Sequence, residues 1–290
     1  MKLSQKIASK SHRVLLFGPP KSGKTQLAGE LSKEFNLLWF DLENGVDTLL
    51  KLPEEQKERI EVITLPDTRS YPIAIETMLK VIKGGKYEIC ETHGKCACVV
   101  CKKDSKPSVV VELSSLPLDT IVVVDSLTQL TNSAISNITK NQPEDYKLNY
   151  DDWGNLGKLM DTFLSHVQQS GFHIVCISHE TETEMEDGKM KLVPTAGTKA
   201  FSRNTAKYFD EVIYCEVKNK KHIAASSTVY NGNILTGSRS GTVLETQLEA
   251  SLIPIFRGDI PTANPLTQKT PAVAALTGLA ALKSGLGKKP

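Results

Sequence analysis

The chain has 290 residues, with 35 Lys and Arg against 33 Asp and Glu, a formal net charge of +2. That balance excludes a global basic field, so any contact with nucleic acid has to come from local patches. At 40% hydrophobic and 23% charged residues the chain can bury a core, and no apolar run approaches the roughly 18 residues of a membrane span.

A polar lead-in at 1–12, without the apolar stretch of a secretion signal, points to a cytoplasmic protein. The apolar run Arg13-Val14-Leu15-Leu16-Phe17 reads as a buried strand. It leads into Gly18-Pro19-Pro20-Lys21-Ser22-Gly23-Lys24-Thr25, which fits the phosphate-binding pattern G-x-x-x-x-G-K-[ST] at every fixed position. A helix is expected from Lys24 to about Phe35. A strand, a glycine loop and a helix N-terminus together make an anion site, because backbone N–H groups converge there and the helix dipole favours negative charge. Lys24 is expected to reach the β- and γ-phosphates of ATP, Thr25 to hold Mg²⁺, and Gln26 to complete the nucleotide contacts.

Further strands are expected at 37–41 and 61–65, followed by a helix at about 72–83. A segment rich in Lys, Cys and Pro occupies 84–117. The run Ile121-Val122-Val123-Val124-Asp125 has the continuous apolar character of a central parallel strand. A polar stretch at 131–150 then precedes a helix from Trp153 to about Gln169 and a strand at 172–178. A charged loop at 180–200, a short helix near Thr205 and a strand at 211–216 complete the pattern. Strands alternating with helices imply right-handed crossovers and a mostly parallel sheet. The expected fold is therefore an α/β P-loop NTPase core over 1–260, with the 84–117 segment as a cysteine-rich β-hairpin insert. A flexible tail is expected at 261–290, with one weak apolar helix at 272–282.

Three further groups are candidates for phosphate chemistry. Asp125, at the carboxyl end of its strand, is placed to position Mg²⁺. Asp41 and Glu43 close the second strand, and Glu43 is the candidate for polarising the attacking water. His179 follows Cys176-Ile177-Ser178 at another strand end, where a polar side chain can sense a γ-phosphate.

These blocks, in this order, resemble the core of RecA-type recombinases. The likeness is greatest to the small phage ATPases that promote single-strand annealing, a group of phage AAA-type nucleotide-binding proteins. It spans about 13–245. It maps the catalytic glutamate to Glu43, an aspartate near the adenine to Asp47, the Mg²⁺ aspartate to Asp125 and the γ-phosphate sensor to His179, where RecA carries Gln. Asn204 to Phe209 resembles the helix after the second DNA loop. Lys218-Asn219-Lys220 resembles a segment whose lysines reach the ATP of a neighbouring subunit. The resemblance thus implies a DNA-stimulated ATPase that binds single-stranded DNA, assembles with itself as a ring or filament, and promotes annealing and homologous recombination. A single-strand-binding protein is an implied partner, and the host cytoplasm the implied location. The lead-in is shorter than a recombinase's assembly arm and no further domain is expected after the core, which favours annealing over a full homology search. The implied DNA loops are 131–150 and 180–200, with Lys189, Lys191, Lys199 and Arg203 as phosphate contacts and Glu180, Glu182, Glu184, Glu186 and Asp187 opposing them. Tyr146, Tyr150 and Trp153 are the aromatic residues available for stacking, with Trp153 expected in the core. A nucleotide-switched assembly protein without DNA activity and a helicase-like motor remain alternatives.

The insert reads separately. Cys90-x2-His93-x2-Cys96-x-Cys98-x2-Cys101 offers five donors for a four-ligand site. Cys90, His93, Cys98 and Cys101 supply two x2 pairs suited to tetrahedral Zn²⁺, with Cys96 as an alternative ligand. Tyr87-Glu88-Ile89 and Val109-Val110-Val111 are expected to pair as the hairpin that bears the metal. Cys176 and Cys215 are expected in the core.

Overall fold

The computed structural model describes residues 11–226, 231–239 and 250–257. The apolar runs become strands β1 (Arg13–Gly18), β2 (Asn36–Asp41) and β3 (Ile60–Thr64). Two strands of the insert follow, β4 (Lys86–Cys90) and β5 (Ser108–Glu112). The rest are β6 (Thr120–Asp125), β7 (His173–Glu184), β8 (Met190–Pro194), β9 (Glu211–Lys218), β10 (Lys221–Ala225) and β11 (Gly237–Ser238).

The main sheet has the order β10-β9-β1-β7-β6-β2-β3. Every neighbouring pair from β9 to β3 is parallel, and β10 returns antiparallel along β9. This is the expected P-loop α/β architecture, a mostly parallel sheet flanked by helices. Successive side chains of a strand point to opposite faces. Leu15 and Phe17 accordingly join one core with the helices Ile73–Val81, Leu127–Thr139 and Tyr150–Gln169. Val14 and Leu16 join the other, with Leu31, Trp39 and Phe256. Cys176 and Cys215 are buried in strands, as expected.

The insert forms a separate two-stranded sheet in which Tyr87 faces Val111 and Ile89 faces Val109. Ile89 and Val111 anchor it to the first core.

Four expectations are corrected. The helix after the P-loop is short, Lys24–Gly29, and continues as a 3₁₀ turn over Glu30–Lys33, where Ser32 donates its hydroxyl to the Gly29 carbonyl. The stretch 131–150 is not a loop throughout, because a helix runs over Leu127–Thr139. Its hydroxyls are satisfied within the helix, Thr131 on the Leu127 carbonyl at 2.9 Å and Thr139 on the Ile135 carbonyl at 3.0 Å, so a polar composition is compatible with helix there. The stretch 180–200 is largely an antiparallel hairpin, with Glu180 opposite Pro194 and Glu184 opposite Met190. Trp153 is 43% exposed rather than core, since the buried stripe of its helix begins at Leu156.

The tail at 261–290, with the helix expected at 272–282, lies outside the described residues. Among the described residues, no helix is long and apolar enough to cross a membrane.

Candidate functional site

The parallel strands deliver their carboxyl ends to one edge of the sheet, where ligands of open α/β folds bind. Gly18 ends β1 with φ +149°, and Gly23 precedes the helix Lys24–Gly29 with φ +91°. Both positions require glycine. A Cβ on Gly18 would stand 2.0 Å from the Cys215 carbonyl oxygen of β9. The Lys24 ammonium donates to the Gly18 and Pro19 carbonyls at 3.0 and 2.8 Å and to Ser22 Oγ at 3.3 Å, so it lies across the loop. Burial lowers its pKa, opposed by nearby acids including Asp125 and Glu43.

A cavity of about 650 Å³ opens here, and Lys21, Ser22, Thr25, Glu43, Asp125 and His179 are part of its lining. A second cavity of about 490 Å³ shares Ser22, Gly23, Gln26 and His222 with it.

Thr25 Oγ1 donates to Asp125 Oδ2 at 3.0 Å. Burial and the neighbouring Glu43 carboxylate push the Asp125 pKa up to about 7, against the Thr25 hydrogen bond and the Lys24 charge. A hydroxyl and a carboxylate side by side are the hard oxygen donors that Mg²⁺ takes, so these residues fit that ion.

Glu43 lies across from them. Ser126 Oγ donates to its Oε1, and His179 Nε2 stands 3.4 Å from its Oε2. Burial opposes its ionisation, but His179, Ser126 and Lys24 outweigh burial and lower its pKa. Asp41, the other acid of that strand end, instead accepts the Glu43 and Gly45 backbone N–H groups at 3.2 and 3.1 Å and shapes the turn. The Thr128 hydroxyl accepts the His179 backbone N–H at 2.9 Å, and His179 Nδ1 is buried with no hydrogen-bond partner.

Other sequence candidates are not brought to the cavity wall. Asp47 lies on the 3₁₀ segment Val46–Lys51, which lines the cavity through Thr48 and Lys51 instead. Lys218 ends β9, and Asn219 and Lys220 form the β9–β10 turn with φ of +52° and +64°; neither lysine lines the cavity. Sequence reasoning missed Ser126, Thr128 and His222. The His222 Nδ1 lies 3.0 Å from the Ser22 carbonyl oxygen. The Ser126 signal was readable, since Ser126 also caps its helix by accepting the Gln129 N–H at 3.2 Å. No short-range signal points to His222, because its partner is 200 residues away.

In the insert, Cys90, His93, Cys98 and Cys101 present ligand atoms that all lie within 4.8 Å of one another. Cys96 is apart from them, buried in the first core.

Comparison with known families agrees with this architecture. A family model described as an AAA domain matches residues 10–246. The chain belongs to the AAA domain family. It carries an AAA-type P-loop ATPase domain, for which nucleotide binding and hydrolysis are the expected chemistry. Among solved structures, this AAA domain is similar to a prototypical ATPase from the type III secretion system of pathogenic bacteria, with 12% identity and a TM-score of 0.39. The match covers 70% of this chain and 52% of that one, so the chain spans about half of that protein's length. No curated protein matches the sequence.

Proposed function

We propose that this AAA domain hydrolyses ATP with Mg²⁺ and couples the nucleotide state to single-stranded DNA, promoting annealing and recombination in the manner of the small phage ATPases it resembles. In this reading Lys24 and the loop 18–25 cradle the phosphates, Thr25 and Asp125 hold Mg²⁺, Glu43 orients the attacking water, and Lys218 and Lys220 act on the ATP of a neighbouring subunit in a ring or filament.

One observation carries the coupling. Strand β7 holds His179 beside Glu43 and runs on without a break into the β7–β8 hairpin. A side chain on the cavity wall and the hairpin arm are thus parts of one strand. The arm and the residues after it carry Lys189, Lys191, Lys199 and Arg203, which would neutralise DNA phosphates without reading sequence. Residues 140–149, the part of the earlier stretch that is loop, supply the second contact.

A second reading, nucleotide-driven self-assembly without DNA, is favoured by the acidity of the same arm. Lys189 is paired with Asp187 at 3.4 Å, and Glu182 and Glu184 line β7.

The test is ATP hydrolysis with and without single-stranded DNA at two salt concentrations. Strong stimulation that fades at high salt is the expected result. Hydrolysis unchanged by DNA at either salt selects the assembly reading.

A further inference from the structure

We propose that Cys90, His93, Cys98 and Cys101 bind one structural Zn²⁺ ion that pins the insert against the edge of the sheet. The proposal is independent of the DNA reading.

The geometry suits the ion. A tetrahedral zinc with sulfur at about 2.3 Å and nitrogen at about 2.0–2.1 Å separates a sulfur from a nitrogen by about 3.6 Å and two sulfurs by about 3.8 Å. His93 Nδ1 stands 3.8 Å from Cys90 Sγ, 3.7 Å from Cys98 Sγ and 3.1 Å from Cys101 Sγ. One imidazole nitrogen thus faces three sulfurs, two of them at coordination spacing and Cys101 Sγ about 0.5 Å closer than the ion would hold it.

Backbone structure holds the donors in place. Cys90 closes β4, and the Gly94 N–H returns to the Cys90 carbonyl at 2.8 Å, which wraps His93 toward its sulfur. Gly94 takes φ of +62° at the end of that turn, and Ala97, with φ of +51°, bends the chain again before Cys98. Cys98 precedes the short helix Val99–Lys103, which places Cys101 one turn on. The Lys102 N–H bonds the Cys98 carbonyl at 3.0 Å.

Packing gives a second, independent argument. The short helix Val99–Lys103 buries only Cys101, while Val99 and Val100 are 79% and 59% exposed. Apolar burial is therefore not what orders this segment. A metal is the usual substitute where a small element cannot build a core of its own.

The donor chemistry narrows the ion and the role. Three thiolates and an imidazole are soft to borderline ligands, which disfavours Mg²⁺ and Ca²⁺ and separates this site from the nucleotide's. Four protein donors complete a tetrahedron and leave no position for a reacting water, so the role is structural. Cys96 is not a ligand. Its side chain is buried with Ile89 and Val111. The pinned turn meets the sheet directly. The Gly94 carbonyl accepts the Thr77 hydroxyl at 2.8 Å, and a Cβ on Gly94 would fall 2.9 Å from both Leu65 Cδ2 and the Thr64 carbonyl at the end of β3.

The test is metal analysis of the full chain purified under reducing conditions, with cobalt substitution. One zinc per chain is expected. The cobalt form should show thiolate-to-metal charge transfer and the intense visible bands of a tetrahedral site. Cys98→Ser should lose the metal at least tenfold more readily in a chelator competition, while Cys96→Ala retains it. In wild-type protein, chelation should open the lysine-rich segment 95–106 to trypsin while nucleotide binding persists. Wild-type protein without stoichiometric metal, a mass two units low from a disulfide, zinc held equally well by Cys98→Ser, or an insert equally protease-resistant without metal would each overturn the assignment. Should Cys98→Ser fail to fold, the wild-type stoichiometry and cobalt spectrum decide.

Discussion

His179 Nε2, on β7, stands 3.4 Å from Oε2 of Glu43, two residues past the end of β2, and β6 lies between those strands in the sheet order. With Ser126 on the other oxygen, both ends of the carboxylate are engaged. A carboxylate held this way and kept ionised is suited to orient and polarise a water. Glu43→Gln should therefore slow ATP hydrolysis by about 100-fold or more while a fluorescent ATP analogue still binds. An unchanged hydrolysis rate would remove Glu43 from the mechanism.

The proposed action of Lys218 across a subunit boundary predicts complementation. Lys218→Ala and Glu43→Gln proteins should each be nearly inactive alone. Mixed, they should regain a measurable fraction of wild-type hydrolysis, because some interfaces then carry an intact Glu43 and an intact Lys218. No recovery in a mixture shown to co-assemble counts against action in trans.

Acid lability should trace to His173. Its Nδ1 accepts the His12 N–H at 3.0 Å, the two rings stack at 5.5 Å, and Phe256 lies edge-on. Burial first, then the His12 and Arg13 charges, pushes its pKa down to about 4, against about 6.5 in an unfolded chain. The unfolded state binds the proton more readily, so stability is full above about pH 6.5 and is lost as pH falls toward 4. His173→Asn, which keeps an acceptor for the His12 N–H, should show a flatter fall of Tm between about pH 7 and pH 5 than wild type. Parallel slopes would place the acid sensitivity elsewhere.

Gly18→Ala should be among the most damaging single substitutions. The added carbon meets the Cys215 carbonyl at 2.0 Å, in a backbone conformation that only glycine adopts readily. A loss of about 3 kcal/mol or more in urea unfolding is expected, or no folded protein at all. A loss under about 1 kcal/mol would contradict the close approach of β1 to β9.

The parallel strands were legible because their burial on both faces leaves a continuous apolar run, as in Ile121 to Val124. The P-loop and the acid at the end of β6 were legible because their chemistry is confined to a few adjacent residues. The helix Leu127–Thr139 was hidden by its Thr, Asn and Ser content, although Leu127, Leu130, Thr131 and Ala134 keep helical spacing and are buried. The β7–β8 hairpin was hidden by its charge. The alternation from Glu180 to Glu184, with Thr183 buried, and the Asp187-Gly188 pair are nonetheless a strand and turn signal. What no local pattern could supply is the meeting of Ser126 with Glu43 and of His222 with Ser22. Those contacts join distant segments, and only the strand order brings them together.

The last of these contacts bears on how force would pass through the molecule. His222 sits two residues beyond Lys220, and its ring rests on the Ser22 carbonyl. The β9–β10 turn and the backbone that would grip a phosphate are the two ends of one short lever. Pulling or twisting the turn would shift the grip through the His222 ring, which also lies against Gly23, and a filled grip would stiffen the turn in return.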